Sequence, residues 1–298
     1  MTIMKDKHTW LEQSICPLLA AFIWGTAFVA QDVSAEKIGP FSFNAIRYSI
    51  AVVTLLVITG IRNRKEKPVI HKRKLVIGGL CCGLALGCAS YLQQAGITAG
   101  TDAGKAAFIT ALYVVLVPVF SLVFLHKNTS KQIWLAMILA VTGLYLLCMK
   151  GSLHVSSGDF LLILCAAGFA LHILIVDYFS KDCDVLYLSC MQFIFAAVFS
   201  WIGSMCTETI TYDSVYTCVT PLLYTGIFSC GVAYTLQIAA QKKGNPTVVT
   251  ILLSMESVFS VIASTILLHE QMSMREYLGC TLMFTAVILA QTPYKHKA

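Results

Sequence analysis

Tyr234-Thr235-Leu236-Gln237, an apolar run, then Leu268-His269-Glu270 and Ser273: the stretch from Gly231 to Glu270, with the serine just beyond it, has a counterpart earlier in the chain. The earlier copy reads Tyr91-Leu92-Gln93-Gln94, an apolar run, then Leu125-His126-Lys127 and Ser130. Positions 91 and 234, 94 and 237, 126 and 269, and 130 and 273 are each separated by 143 residues. Ser121 and Ser264, and Gly25 and Gly168, keep the same offset. Single identities are cheap in apolar sequence, but one register held over so long a stretch points to an internal duplication. Each copy takes about half the chain, residues 1–150 and 151–298.

The composition sets the solvent. Of 298 residues, 57% are hydrophobic and 12% charged, against about half and a quarter in a soluble domain. The apolar residues fall in blocks long enough to cross a bilayer, which takes roughly 20 residues each. Ten spans can be drawn, near 15–31, 41–61, 75–95, 105–125, 132–149, 158–177, 185–205, 217–239, 247–268 and 276–292. Lipid offers no partner to open backbone groups, so these spans are expected to be helices. The expected fold is an all-α membrane protein with ten transmembrane helices. Gly39-Pro40 and Asn245-Pro246 open two of the spans, and Asp102 is placed to cap a third.

Orientation follows from Lys and Arg. With a cytoplasmic N-terminus, the inner segments carry 16 and the outer segments 5 of the 21 basic residues. That bias puts both termini inside. The net charge of +6 is therefore a topology signal and not a nucleic-acid one. Five spans per copy is an odd number, so the second copy enters the membrane upside down. Two inverted five-helix repeats around a midplane site are a recurring plan of secondary transporters, which expose one site to either side in turn. The first apolar block resembles a signal peptide in its flanks, but its Gly25 has a mate in Gly168, so it belongs to the repeat. Most of the 12 cysteines sit in apolar blocks, where a thiol acts as a small hydrophobe. Cys206 and Cys218 flank an outer loop, and their pairing is left open.

Candidate binding residues are the polar groups that the spans bury. Trp24-Gly25 lies midway along the first span and suits either a cavity wall or close helix contact. Tyr91 and Gln94 share a helix face, as do Tyr234 and Gln237. Buried phenols and carboxamides need partners, so both pairs are expected to face the interior, toward a cavity or toward neighbouring helices. Glu256 is the one acidic residue near the centre of a span. An ionised carboxylate there costs about 3 kcal/mol or more. It is expected to be protonated, paired or open to a wet cavity, and no permanent partner is apparent at its depth. It suits proton coupling, amine binding or a neutral hydrogen-bonded role. Arg47 is expected to snorkel to the outer interface. His172 reads first as a hydrogen-bonded packing residue. Pro118 is expected to kink the fourth span. Gly79, Gly83 and Gly87 form a small-residue stripe for helix contact.

The chain has no nucleophile elbow, Walker loop, HExxH or aspartate-rich diphosphate motif. That makes a polytopic enzyme acting on a lipid-like substrate the weaker alternative to a transporter. No cofactor or metal ligand is assigned. The expected partners are the lipid bilayer, a small-molecule substrate and, as a candidate coupling ion, the proton.

Trp24-Gly25 in the first span, Met255-Glu256-Ser257-Val258 in the ninth, and Leu268-His269-Glu270 ahead of Gly279 complete a pattern. In that order and register the whole chain resembles the EamA-type transporters of the drug/metabolite transporter superfamily. The resemblance implies a permease of the bacterial inner membrane that carries small metabolites, often exporting amino acids or related compounds. Ser257 departs from it, because a proline usually follows the glutamate there. That removes the residue expected to kink the ninth span.

Overall fold

A computed structural model describes residues 11–64, 71–101, 103–126, 129–149, 156–267 and 272–292. Asp102, expected as a cap, and Leu268-His269-Glu270 lie outside the described residues. The chain is a bundle of helices: α1 (Cys16–Ala35), α2 (Pro40–Asn63), α3 (Lys72–Thr98), α4 (Ala103–Ala111), α5 (Tyr113–Leu125), α6 (Lys131–Cys148) and α7 (Ser157–Ser180). It continues with α8 (Val185–Thr207), the short α9 (Tyr212–Thr217) and α10 (Val219–Tyr224), a π-helix (Thr225–Ala233) and α11 (Tyr234–Lys243). The last elements are α12 (Pro246–Leu253), α13 (Glu256–Leu267) and α14 (Met274–Gln291).

Among the described residues, 8 helical segments are long and apolar enough to span a bilayer, with one shorter apolar stretch at Pro246–Ile262. The ten expected spans are thus met by eight of that length and hydropathy. The ninth is divided at Ser254-Met255, and its side chains are described only as far as Ile262. The tenth, α14, is helical over 18 residues but carries Arg275 and Glu276 in its first turn and so is less apolar.

The bundle has a hydrophobic core, but unlike a soluble protein it is apolar outside as well and buries polar side chains among its helices. Val53, Phe124, Ile138 and Ile288 are more than half exposed, while Gln94, His172, Gln192, Gln241 and Ser254 are fully buried. Exposed apolar surface on this scale needs lipid. Several of the buried polar groups hydrogen-bond neighbouring helices: His172 with Gln192 at 3.1 Å, Gln241 donating to Ile173 O at 2.8 Å, and Ser189 with Thr235 at 2.8 Å. The glycine stripe on α3 meets α8. A Cβ at Gly83 would lie 2.5 Å from Gln192 O, so only glycine permits that approach.

Polar contacts between helices gather at the two ends. At one end Glu208 caps α2, accepting from Phe41 N (2.9 Å), Ser42 N (2.8 Å) and Ser42 Oγ (2.6 Å). Lys105 and Asp159 pair there at 2.5 Å. At the other end Arg62 pairs with Asp184 at 2.9 Å and Lys74 with Asp182 at 2.8 Å. Each contact joins segments that the alternation of spans assigns to the same side. Cys206 and Cys218 are not bonded to each other: Cys206 is exposed and Cys218 is buried.

Two spans are interrupted at matched positions. In the fourth, Leu112 separates α4 from α5; in the ninth, Ser254-Met255 separates α12 from α13. Leu112 N donates to Ile109 O and Met255 N to Leu252 O, each at 3.2 Å. Leu116 N donates to Leu112 O at 3.2 Å and Phe259 N to Met255 O at 3.0 Å. Every partner in the second pattern is its counterpart in the first displaced by the 143 residues of the sequence register. The residues around the two breaks differ. Pro118, expected to kink the fourth span, lies beyond the first break and inside α5, where it leaves Val114 O without its helical donor. At the second, without a proline, Thr250 Oγ1 donates to Thr247 O (2.8 Å) and Ser254 Oγ to Ile251 O (2.7 Å). Such back-bonding hydroxyls compete for helix carbonyls and bend helices. Ser257 therefore costs the ninth span its expected proline but not its break.

Candidate functional site

Between the two breaks lies a cavity of about 50 Å³ open to water centres. At about 10–15 Å³ per water, that is room for a few molecules. Its walls combine Trp24, Phe169 and Tyr234 with the polar groups of Gln31, Arg47, Gln93, Gln237 and Glu256. A largely apolar chamber with a few polar groups inside the bundle is where a small amphipathic ligand can be held away from lipid.

Glu256 opens α13 and is only 4% exposed. Its Oε1 accepts from Tyr113 Oη at 3.2 Å. This corrects the expectation that no partner sits at its depth. Tyr113 opens α5 just after the first break, so the bond joins residues 143 apart, the repeat offset itself. The same break that ends one helix hydrogen-bond pattern presents one polar group from each half to the other. Gly25 makes room for it, since a Cβ there would lie 2.5 Å from Glu256 O and 2.9 Å from Ser260 N. The glycine of Trp24-Gly25 thus serves close contact and its tryptophan the cavity wall.

Trp24 is held by Ser229 O, which accepts from its indole Nε1 at 3.2 Å. Ser229 lies in the π-helix Thr225–Ala233, whose wider turn is a common feature of functional sites. The Trp24 and Tyr234 rings meet at 4.7 Å between centroids. Thr26 and Tyr224 hydroxyls hydrogen-bond nearby. His172 lines the cavity while bonded to Gln192, so the packing role expected of it coexists with a place on the wall.

Arg47 does not snorkel. It is 4% exposed and lines the cavity, with Nη1 donating to Gln31 Oε1 at 3.3 Å. Its guanidinium carbon lies 5.2 Å from the ring centres of both Phe43 and Tyr48. The second turn of α2 points inward because Phe43, Asn44 and Tyr48, on the same face, are fully buried, so the side chain has no path to the outer interface.

The two Tyr-x-x-Gln pairs part company. Tyr234 and Gln237 line the cavity, whereas Tyr91 and Gln94 do not. Tyr91 stacks face to face on Phe41 at 3.9 Å, and Gln94 is fully buried with Nε2 donating to Gln31 O at 3.3 Å. Its neighbour Gln93 takes the cavity position and donates to Thr110 Oγ1 at 3.4 Å. A helix turns by 100° per residue, so the rotation of α3 decides which of the two adjacent glutamines faces the cavity. Sequence reading did not single out Gln31, Gln93 or Tyr113. Tyr113 was readable from the register, as the mate of Glu256; Gln31 and Gln93 carried no distinguishing signal.

Known proteins resemble the chain in both sequence and shape. It is 28% identical over 274 residues to an uncharacterized transporter of Archaeoglobus fulgidus, covering 91% of this chain and 83% of that one. It is 25% identical over 294 residues to the uncharacterized transporter YetK of Bacillus subtilis, covering 94% and 88%. A crystal structure superposes with a TM-score of 0.77 at 15% identity, over 94% of this chain and 96% of that one; that likeness bears on the fold alone. The model of the EamA-like transporter family matches twice, at residues 14–149 and 156–292, the two halves that the offset and the paired helix breaks mark out. With a multi-pass apolar bundle, a chamber with a few polar groups at its centre and this double match across nearly its whole length, the chain belongs to the EamA-like transporter family and is a membrane transporter, not an enzyme.

Proposed function

We propose that this protein is a secondary transporter that moves a small amino acid or related amphipathic metabolite, in the export direction, by alternating access across the cytoplasmic membrane. In this reading ten helices form two inverted five-helix repeats, residues 1–150 and 151–298, with both termini in the cytoplasm. The observation that carries it is the Tyr113–Glu256 hydrogen bond between repeat-related residues at matched helix breaks. Broken helices that meet at a central polar site are how many carriers hold a substrate midway through the membrane. A two-fold related pair of breaks gives the two halves equivalent hinges, which supports exchange between inward- and outward-open forms. The cavity's few-water size suits a closed form that widens on either side.

Protons are the proposed coupling ion, with Glu256 as the group that carries the charge change. The experiment is solute counterflow in liposomes containing the purified protein, with radiolabelled amino acids as probes. Exchange without chemical change is the expected result; no exchange with any probe, or conversion of a probe to product, overturns the reading. Orientation is tested separately in a cysteine-free background. An impermeant thiol reagent on intact cells is expected to label a cysteine placed at position 36 and to leave one at position 68 unlabelled. The reverse pattern overturns the assigned topology.

A further inference from the structure

Arg47 is a buried cation whose charge no described residue matches. Among the described residues no carboxylate pairs with it, and Gln31, which accepts from its Nη1, is neutral. Its Nε is buried and has no acceptor. The Phe43 and Tyr48 rings, each 5.2 Å away, are contacts that favour a cation but give Nε no acceptor. A buried charge left without a counter-ion is costly, and this one faces a cavity. The planar fork of a guanidinium matches a carboxylate with two parallel hydrogen bonds. The complementary group, Glu256, lies on the same cavity and makes no ion pair with Arg47. One wall thus carries an unmatched positive group and another a carboxyl, with the Trp24–Tyr234 aromatic pair and Phe169 between polar neighbours.

Resting on the transporter reading above, we propose that Arg47 is the carboxylate-recognising group of the cavity and that the substrate is a small zwitterion. The carboxylate takes the unsatisfied edge of Arg47, the ammonium group faces Glu256, and the substrate's body lies against Trp24, Tyr234 and Phe169. A zwitterion fits the charge balance, since it neutralises both groups locally without adding net charge to a low-dielectric site. An uncharged metabolite leaves Arg47 uncompensated, and a simple cation adds to its charge.

The test is thermal unfolding of the purified full-length chain with L-leucine, L-phenylalanine and L-threonine. Each is compared with its amide, which keeps the amine and loses the carboxylate, and its N-acetyl derivative, which does the reverse. At least one free amino acid is expected to raise the unfolding temperature, with the matching amide binding at least about tenfold more weakly, because a site built for a charged group rejects an analogue lacking it. Arg47→Gln is expected to bind the acid no better than the amide, and Arg47→Lys, which keeps the charge without the fork, to fall between. The acid-to-amide comparison on the native chain stands whether or not the variants fold. A panel with no stabilising member, amides equal to acids, or a folded Arg47→Gln with unchanged affinity each overturns the assignment. Counterflow of the same compounds separates the two readings. Equal exchange of acid and amide leaves the transporter standing and removes Arg47's role; a carboxylate-selective ligand that binds but is never exchanged keeps the site and removes the transporter.

Discussion

In the first half the chain breaks at Leu112 and presents a phenol, Tyr113; in the second it breaks at Met255 and presents a carboxyl, Glu256. Two backbone hydrogen bonds at each break correspond at the 143-residue offset, yet one side chain only donates to the other. The Tyr-x-x-Gln pairs show the converse. Their side chains are identical, but one pair lines the cavity and the other stacks and bonds behind it. The two halves share where their helices break, while the chemistry at corresponding positions differs. Equal sequence in the two halves is therefore no guide to equal function.

The comparison is broken most severely at its carboxyl end. Glu256→Gln is expected to abolish accumulation driven by a pH gradient and, because it removes the charge that faces the ammonium group, to weaken counterflow of the same amino acid as well. A folded variant with unchanged gradient-driven uptake removes the coupling role. Tyr113→Phe removes only the donor, and the loss of a hydrogen bond to a buried carboxyl is expected to lower stability by about 1–3 kcal/mol. Chemical denaturation is the measurement, and an unchanged midpoint shows the bond to be dispensable.

The paired glycines come next. At Gly25 an added Cβ meets backbone at 2.5 Å, whereas at Gly168 the nearest atom is the Ala89 Cβ at 3.0 Å. Neither neighbour can rotate aside, but a 3.0 Å contact is relieved by a shift of a few tenths of an ångström, whereas one at 2.5 Å needs a much larger one. Gly25→Ala is expected to cost about 1–3 kcal/mol as an overpacking change, and Gly168→Ala clearly less. Thermal unfolding of the two variants side by side checks the order, and equal losses contradict it.

The glutamines give a smaller contrast that depends on the assay. Gln237→Ala is expected to weaken substrate affinity several-fold with little change in stability. Gln94→Ala, which loses its bond to Gln31 O, is expected to lower stability by about 1 kcal/mol and leave affinity unchanged. Affinity lost in Gln94→Ala and kept in Gln237→Ala reverses the placement of the two residues. The smallest effect belongs to Tyr91→Phe. The stack on Phe41 needs the ring and not the hydroxyl, so stability is expected to stay within about 0.5 kcal/mol and uptake to be normal. A transport defect there restores Tyr91 to the cavity.

Much of the architecture is legible in the amino-acid order alone. The 143-residue register is a property of the string, and so are the long apolar blocks and the sparse charges between them. Bilayer thickness and the need to satisfy every backbone group turn those blocks into helices with little latitude. Glu256 and Trp24 also stand out unaided, because a carboxyl or a tryptophan beside glycine is rare in such surroundings. Tertiary structure alone decides which way each helix faces. Gln93 and Gln94 differ by 100° of rotation that no local preference sets. Arg47 has a stem long enough to snorkel, and only the packing of α2 turns it inward. The partner of Glu256 depends on two breaks 143 residues apart meeting at one point. Lipid holds the helices to a direction and a length but leaves their rotation free, and rotation is settled by the close contacts at Gly25 and Gly83, which exist only once the helices have met.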